Sequence, residues 1–470
     1  MPLQLSSSFL SVDRRLVNTL VQSTVSRQRL QVIATALLIA GSMTALPAAA
    51  QSLSQLYQSA RVFDAGYQSA LLQFDANVAR AEQARAGLLP SAGLAAGATG
   101  TNFDNSNPSV NRTFSNLSAT LSAAQPLYRP ANRATFEQGF RQIDFSLAQL
   151  ETAGQDLIVR SSQAYFDVLG AQDTLAFVRA QKAAVAEQLA FARRNFEVGT
   201  STITDTREAQ ARFDLVGAQE IAAENDLQVK RIALDTLVGR QDSQPLGLRL
   251  PVALPALLPL DVNAWVEQSL GAHPSIRQAK SAVAIAELEI AKAEAGGKPT
   301  VDAVASYNLN RSPSGSAQST QSNRSGTANV GVQLNWPLFT GYAVQNRIRE
   351  TIFLRDKALS DAEAARRNVA QATRSAYFGV LSGQGQVRAL EAAELSSQSA
   401  LDANRLGYQV GVRINIDVLN AQSQLFQTKR DLAQARYSVL LGGLRLRQAN
   451  GTLTPADLLA IDALLLNIAP

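Results

Sequence analysis

The chain has no cysteine in its 470 residues. Disulfides, thiol nucleophiles, cysteine-ligated zinc and lipid attachment through a cysteine are thereby excluded. A single histidine, His273, leaves no second imidazole for a histidine metal cluster. Its setting in GAHPSI reads as the start of a helix. Proline is missing between Pro130 and Pro245, so nothing there forces a break in a long helix. Beyond residue 50 there is no uncharged apolar run of the ~20 residues that a spanning helix needs. The excess of positive over negative charge is small. The formal charge is +5, but residues 1–50 hold Arg14, Arg15, Arg27 and Arg29 against Asp13, which leaves +2 for the rest. Nothing in that balance points to a nucleic-acid partner.

Residues 1–50 read as a leader ending in a secretory signal peptide. Arg27 and Arg29 form its basic flank, Val32 to Leu46 its short apolar region and Ala48-Ala49-Ala50 its small-residue cleavage site. The expected mature chain starts at Gln51.

What is present is a repeat. AYFDVL (Ala164 to Leu169) returns as AYFGVL (Ala376 to Leu381), and FEVGTSTITD (Phe196 to Asp205) as YQVGVRINID (Tyr408 to Asp417). Gly239 returns as Gly451, so the offset is 212 residues. That is far longer than the 20–50 residues of a solenoid unit. The expected plan is a first repeat over 51–240, a linker over 241–261, a second repeat over 262–451 and a tail over 452–470.

Each half holds two textures. From Phe136 to Phe196 apolar residues recur at alternating steps of four and three, including Phe140, Leu147, Leu157, Val168, Leu175, Val185 and Leu189. That is a coiled-coil seam and predicts a left-handed supercoiled rod. Shorter helices are expected over Leu53–Leu88, Thr204–Leu237, Val262–Ala295 and Asn415–Leu446. Gly199 and Gly411 mark the tip turns after the long helices.

The second texture lies at 91–125 and 301–336, where charges nearly vanish. Leu117, Ala119, Leu121 and Ala123 alternate with Ser118, Thr120 and Ser122. Val330, Val332, Leu334 and Trp336 alternate with Gly331, Gln333 and Asn335. Period two predicts β-hairpins of strands near ten residues, the pattern of a transmembrane barrel with one lipid-facing side. Their loops are expected at Asn102–Arg112 and Arg311–Thr327. Trp336 and Tyr307 suit an interfacial aromatic belt. Four strands cannot close a barrel, and open edges do not occur in lipid. Two chains would supply eight strands and three would supply twelve; only the wider barrel leaves a conducting lumen. The expected fold is a mixed membrane protein: a long coiled-coil tunnel plus four strands per chain, completing a 12-stranded barrel in a homotrimer.

Around the two tip turns, FEVGTSTITDTREAQA and GYQVGVRINIDVLNAQSQL, and in QPLYRP, NWPLFTG and NGTLTPADL, the chain resembles the TolC family of outer-membrane efflux and secretion channels. The resemblance spans essentially all of the expected mature chain. It implies a passive duct without catalytic residues, metal or cofactor. It also implies the outer membrane of a Gram-negative-type cell with a reach into the periplasm. The implied partners are outer-membrane lipid, a periplasmic adaptor and an inner-membrane RND-type pump or ABC exporter. By motif position, Asp205 would accept from Arg413 and Tyr408, and Arg436 would reach Thr204, which together would hold a periplasmic gate. Asp417 would line the pore constriction. Three residues on, the family's acidic residue is replaced by Asn420, which would weaken cation selectivity. Taken alone, Asp205 and Asp417 also read as helix N-terminal acids favoured by the macrodipole. A structural or adhesive periplasmic rod without conductance is the alternative reading.

Overall fold

The computed structural model describes residues 51–466 except 108 and 250. The expected leader over 1–50 and the last four residues of the tail lie outside the described residues. In chain order the elements are α1 (Leu53–Phe63), α2 (Ala65–Ala86), β1 (Ser91–Ser106), β2 (Ser109–Tyr128), α3 (Pro130–Glu197) and α4 (Ile203–Val238). After the linker come α5 (Val262–Ala272), α6 (Pro274–Ala295), β3 (Thr300–Ser312), β4 (Asn323–Asn335), α7 (Ala343–Gln409), α8 (Asn415–Asn450) and the short α9 (Ala456–Asp462). The second six elements repeat the first six in type and order.

The two long helices have 68 and 67 residues. At 1.5 Å rise each spans ~100 Å. Pro130 stands at the first turn of α3, where its missing N–H costs nothing. The expected helices over Leu53–Leu88 and Val262–Ala295 are each broken once. Asp64 ends α1 and caps α2, accepting from the Tyr67 N–H at 2.7 Å. His273 ends α5 and caps α6, its Nδ1 accepting from the Ser275 N–H at 3.1 Å. Glycine closes α4 and α8 at the equivalent positions, with φ of 71° at Gly239 and 81° at Gly451. Both press on those breaks. A Cβ on Gly239 would overlap the Phe63 ring, and one on Gly451 would lie 2.5 Å from the His273 Cα. The sequence repeat thus preserves a close contact between a helix end and a helix break.

The seam of α3 meets two environments. Leu157, Val168, Leu175, Val185 and Leu189 are buried, whereas Phe140 and Leu147, nearer the strands, are 50% and 41% exposed. On the tip side α4 and α8 cover the seam, and on the strand side α2 and α6 flank it.

The strands form one antiparallel sheet in the order β1-β2-β3-β4. They run 16, 20, 13 and 13 residues, longer than the expected ten. The first loop shrinks to the two residues between Ser106 and Ser109, because Asn102–Arg112 continues the ladder with polar side chains on both faces. The register gathers the alternation onto one side. Leu94, Leu121, Tyr307 and Ala328 form one row, and Ala305 with Val330 and Ala303 with Val332 extend it. Val330 is 89% exposed. The opposite face carries Ser118, Ser122, Ser306, Asn308, Asn329 and Gln333.

Linker and tail join at mid-rod. Leu466 N–H donates to the Gly247 carbonyl at 2.9 Å. The Tyr165 hydroxyl donates to the Leu246 carbonyl at 2.7 Å, and the Leu53 N–H to Asp462 at 2.9 Å. Leu53, Leu157, Tyr165, Leu234, Leu444 and Leu458 form the largest apolar cluster there. Among the described residues no helix is long and apolar enough to cross a membrane.

Candidate functional site: the tip of the paired rods

Each long helix ends in the same device. Thr200 N–H donates to the Asn195 carbonyl at 2.8 Å and Gly199 N–H to Phe196 at 3.0 Å. In the second half Val412 N–H donates to Gly407 at 2.9 Å and Gly411 N–H to Tyr408 at 3.2 Å. These are paired Schellman closures, which need a left-handed residue at the turn. Gly199 at φ 79° and Gly411 at φ 81° supply it.

The two turns lead into differently capped helices. Thr202 caps α4 in a reciprocal box. Its hydroxyl accepts from the Asp205 N–H at 3.2 Å, and the Asp205 carboxylate accepts from the Thr202 N–H and hydroxyl at 3.1 and 3.0 Å. Asp205 is therefore engaged within its own turn and makes no bond to Arg413. Thr204 lies inside that first turn. Ile414 precedes α8 without a side-chain cap. Arg413 folds back over Gly407, where an added Cβ would lie 2.7 Å from its Cγ. It faces Asp417 across one helical turn at 3.7 Å.

Tyr408 approaches the first hairpin without closing the expected bond. Its ring meets Phe191 edge-on at 5.8 Å. Its hydroxyl is buried with no hydrogen bond of normal geometry. Burial raises that hydroxyl's pKa, and the nearby Asp205 charge adds to the rise, against a lowering influence of Asn195. Arg436 corrects an expectation outright. It pairs with Glu391 at 3.0 Å, and it stands 21 residues beyond Asn415 on α8. That is ~32 Å up the rod, out of reach of Thr204.

The polar ties that do join the two helical hairpins near the tip bring in Gln188, Asn415, Arg212, Gln181 and Ser423, with the Asp205 carbonyl and Asn420 as acceptors. Gln188 of α3 donates to the Asn415 amide oxygen at 2.5 Å, and Asn415 donates to the Asp205 carbonyl at 3.2 Å. Arg212 of α4 donates to Asn420 at 2.9 Å, and Gln181 to Ser423 at 3.4 Å. Leu419, fully buried, inserts among Val185, Leu189, Ala192 and Ala209 of the first hairpin. The sequence does carry a signal for this stripe. Asn415, Leu419 and Gln422 keep the four-three seam spacing, and amides at seam positions mark a specific contact. Asp417 and Asn420 lie beside that stripe, half-buried and exposed respectively.

Long paired rods set on a sheet with one apolar face define a class of outer-membrane tunnel proteins. The family model described as outer membrane efflux protein matches residues 56–240 and 265–452. Outer membrane protein TolC of Vibrio cholerae serotype O1 is 33% identical over 414 residues, 88% of this chain and 94% of that protein. The alkaline protease secretion protein AprF of Pseudomonas aeruginosa is 33% identical over 356 residues, covering 75% and 73%. Among solved structures, the outer membrane protein VceC of Vibrio cholerae superposes with a TM-score of 0.72 at 19% identity, covering 85% of this chain and 96% of that one. The chain belongs to the outer membrane efflux protein family.

Proposed function

We propose that this chain is one protomer of a homotrimeric duct, a twelve-stranded barrel in the outer membrane continued by a helical tunnel into the periplasm. The observation that carries the reading is the sheet. β1 and β4 end it with unpaired edges, and one face is apolar and exposed. Such edges must pair in lipid, and three copies supply a barrel wide enough to conduct. The exposed upper seam of α3, with Phe140 and Leu147, also wants a neighbour. The duct is passive, carries no cofactor, and serves small-molecule efflux or type I protein secretion. A periplasmic adaptor and an inner-membrane RND-type pump or ABC exporter supply cargo and energy. The names of its relatives, which include secretion and efflux proteins, support that range. The tip is the gate, with Asp417 and Asn420 near the constriction, Asp205 and Tyr408 at the contact between hairpins and Arg413 facing Asp417 beside it.

The test is mass determination in detergent with conductance in planar bilayers. A trimer that forms discrete channels is expected. A stable folded monomer, or a trimer without conductance, would overturn the reading and favour the non-conducting rod.

A further inference from the structure

We infer that Asn415 is the latch of the gate: a buried, uncharged amide that fastens α8 to the first helical hairpin within each protomer. The inference rests on the tunnel reading and goes beyond it by naming a residue and a kind of bond. Asn415 has no solvent exposure. Its oxygen accepts from Gln188 at 2.5 Å, and its amide donates to the Asp205 carbonyl at 3.2 Å. One residue thus touches the last turns of α3 and the start of α4 together. It is the first residue of α8, so it acts at the extreme tip. Leu419, one turn on, seats the same face of α8 against Val185, Leu189 and Ala192.

Of the charged groups nearby, Arg212 crosses only to the uncharged Asn420, and the others are occupied elsewhere. The Asp205 carboxylate closes its own capping box. Arg413 faces Asp417 on the same side of the same turn, with its side chain 59% exposed. Exposed ion pairs contribute little and are screened by salt. A buried amide that loses its partner leaves unsatisfied donors and acceptors on both elements. Separation of the hairpins exposes Gln188, Asn415 and the Asp205 carbonyl to water at once, so the bond exists only while the tip is closed. The latch is therefore expected to be indifferent to ionic strength, unlike one built from Arg and Asp.

The experiment uses the full-length trimer in planar bilayers. Asn415→Ala removes both hydrogen bonds and is expected to raise the open-to-closed ratio about tenfold. Raising KCl from about 0.1 to about 1 M shortens the screening length from ~10 to ~3 Å. For the native chain that change should leave the ratio unchanged. The exchanged pair, Gln188→Asn with Asn415→Gln, keeps an amide facing an amide and should restore closure. Arg413→Ser should shift the ratio less than Asn415→Ala. An unaltered ratio in Asn415→Ala trimers of native heat stability overturns the assignment, as does a native gate that opens with salt. Should Asn415→Ala not assemble, Gln188→Ala, which removes one of the two bonds at a half-buried position, decides by the same criterion. Absence of any channel from the native trimer would instead refute the tunnel itself, so the two failures are distinguishable.

Discussion

Truncation of Leu419 should open the tunnel without dismantling the rods. The side chain is fully buried, and its neighbours Val185, Leu189, Ala192 and Ala209 all belong to the other helical hairpin. Leu→Ala at such a site costs about 2–5 kcal/mol, with the lower end where the surroundings can relax. The tip is such a place, so ~2 kcal/mol is the reasonable figure. Because that contact exists only when α8 lies on the first hairpin, the whole loss falls on the closed state. A shift of ~2 kcal/mol is about thirtyfold in the ratio of the two states, for each chain. The control is Leu432→Ala. Leu432 is equally buried but contacts Val387, Ala435 and Val439 of its own hairpin, so its packing survives any separation of the two hairpins. Single-channel recording and thermal unfolding in detergent are measured on both variants. Comparable thermal losses, with a conductance rise in Leu419→Ala alone, are expected. Equal conductance changes in the two variants would refute the idea that contacts between hairpins hold the gate.

Two other outcomes rest on the same geometry. Asp64 accepts from Arg160 at 3.0 and 3.0 Å and caps α2. The Arg160 hydrogen bond is the main reason its carboxyl is held below the usual range. A depressed folded pKa gives stability that is complete above the unfolded value of ~3.9 and is lost as pH falls through the folded one. Asp64→Ala should cost about 2–3 kcal/mol in denaturant unfolding near neutral pH. Asp64→Asn, which keeps the cap, should cost about 1–2, with a weaker acid dependence in both variants than in the native chain. At the tip, Asp417→Asn should reduce cation preference, and Asn420→Asp should increase it, read as reversal potential in a salt gradient. No shift in Asp417→Asn would place the selectivity ring elsewhere.

The architecture was legible because its two periodicities are long, the seam of α3 being broken only at Gly154, Ser161 and Lys182. A four-three seam over α3 and strict alternation in Leu117–Ala123 and Val330–Trp336 leave few other folds. The strand ends were less legible, since Asn102–Arg112 is polar on both faces and reads as a loop until the partner strand is known. The break at Asp64 was hidden because aspartate caps a helix without forbidding its continuation; at His273 the following Pro274 disfavours helix in the residue before it, a signal that the expected unbroken helix over Val262–Ala295 did not use. The turns at Gly199 and Gly411 stood out through glycine and capping chemistry. The residues that join the hairpins did not. Motif position pointed to Asp205, Arg413 and Arg436, whose charges find partners locally at Thr202, Asp417 and Glu391. The seam amides Gln188 and Asn415 belong to elements 227 residues apart in sequence, a pairing that no local pattern specifies.

The contact between Gly451 and the break at His273 gives α8 a pivot. From there to Asn415 the helix runs 36 residues, an arm of ~54 Å. A tilt of only ~3° at the pivot would carry the free end sideways by ~3 Å, more than a hydrogen bond tolerates. Weak bonds at the far end therefore work with full mechanical advantage. If the tip is the gate, as proposed, a partner that leans on the outside of the rod would need little force and almost no rearrangement at mid-height to spring the catch. The same leverage demands stiffness, and a helix without proline, anchored by a glycine too tightly seated to accept a methyl group, provides it.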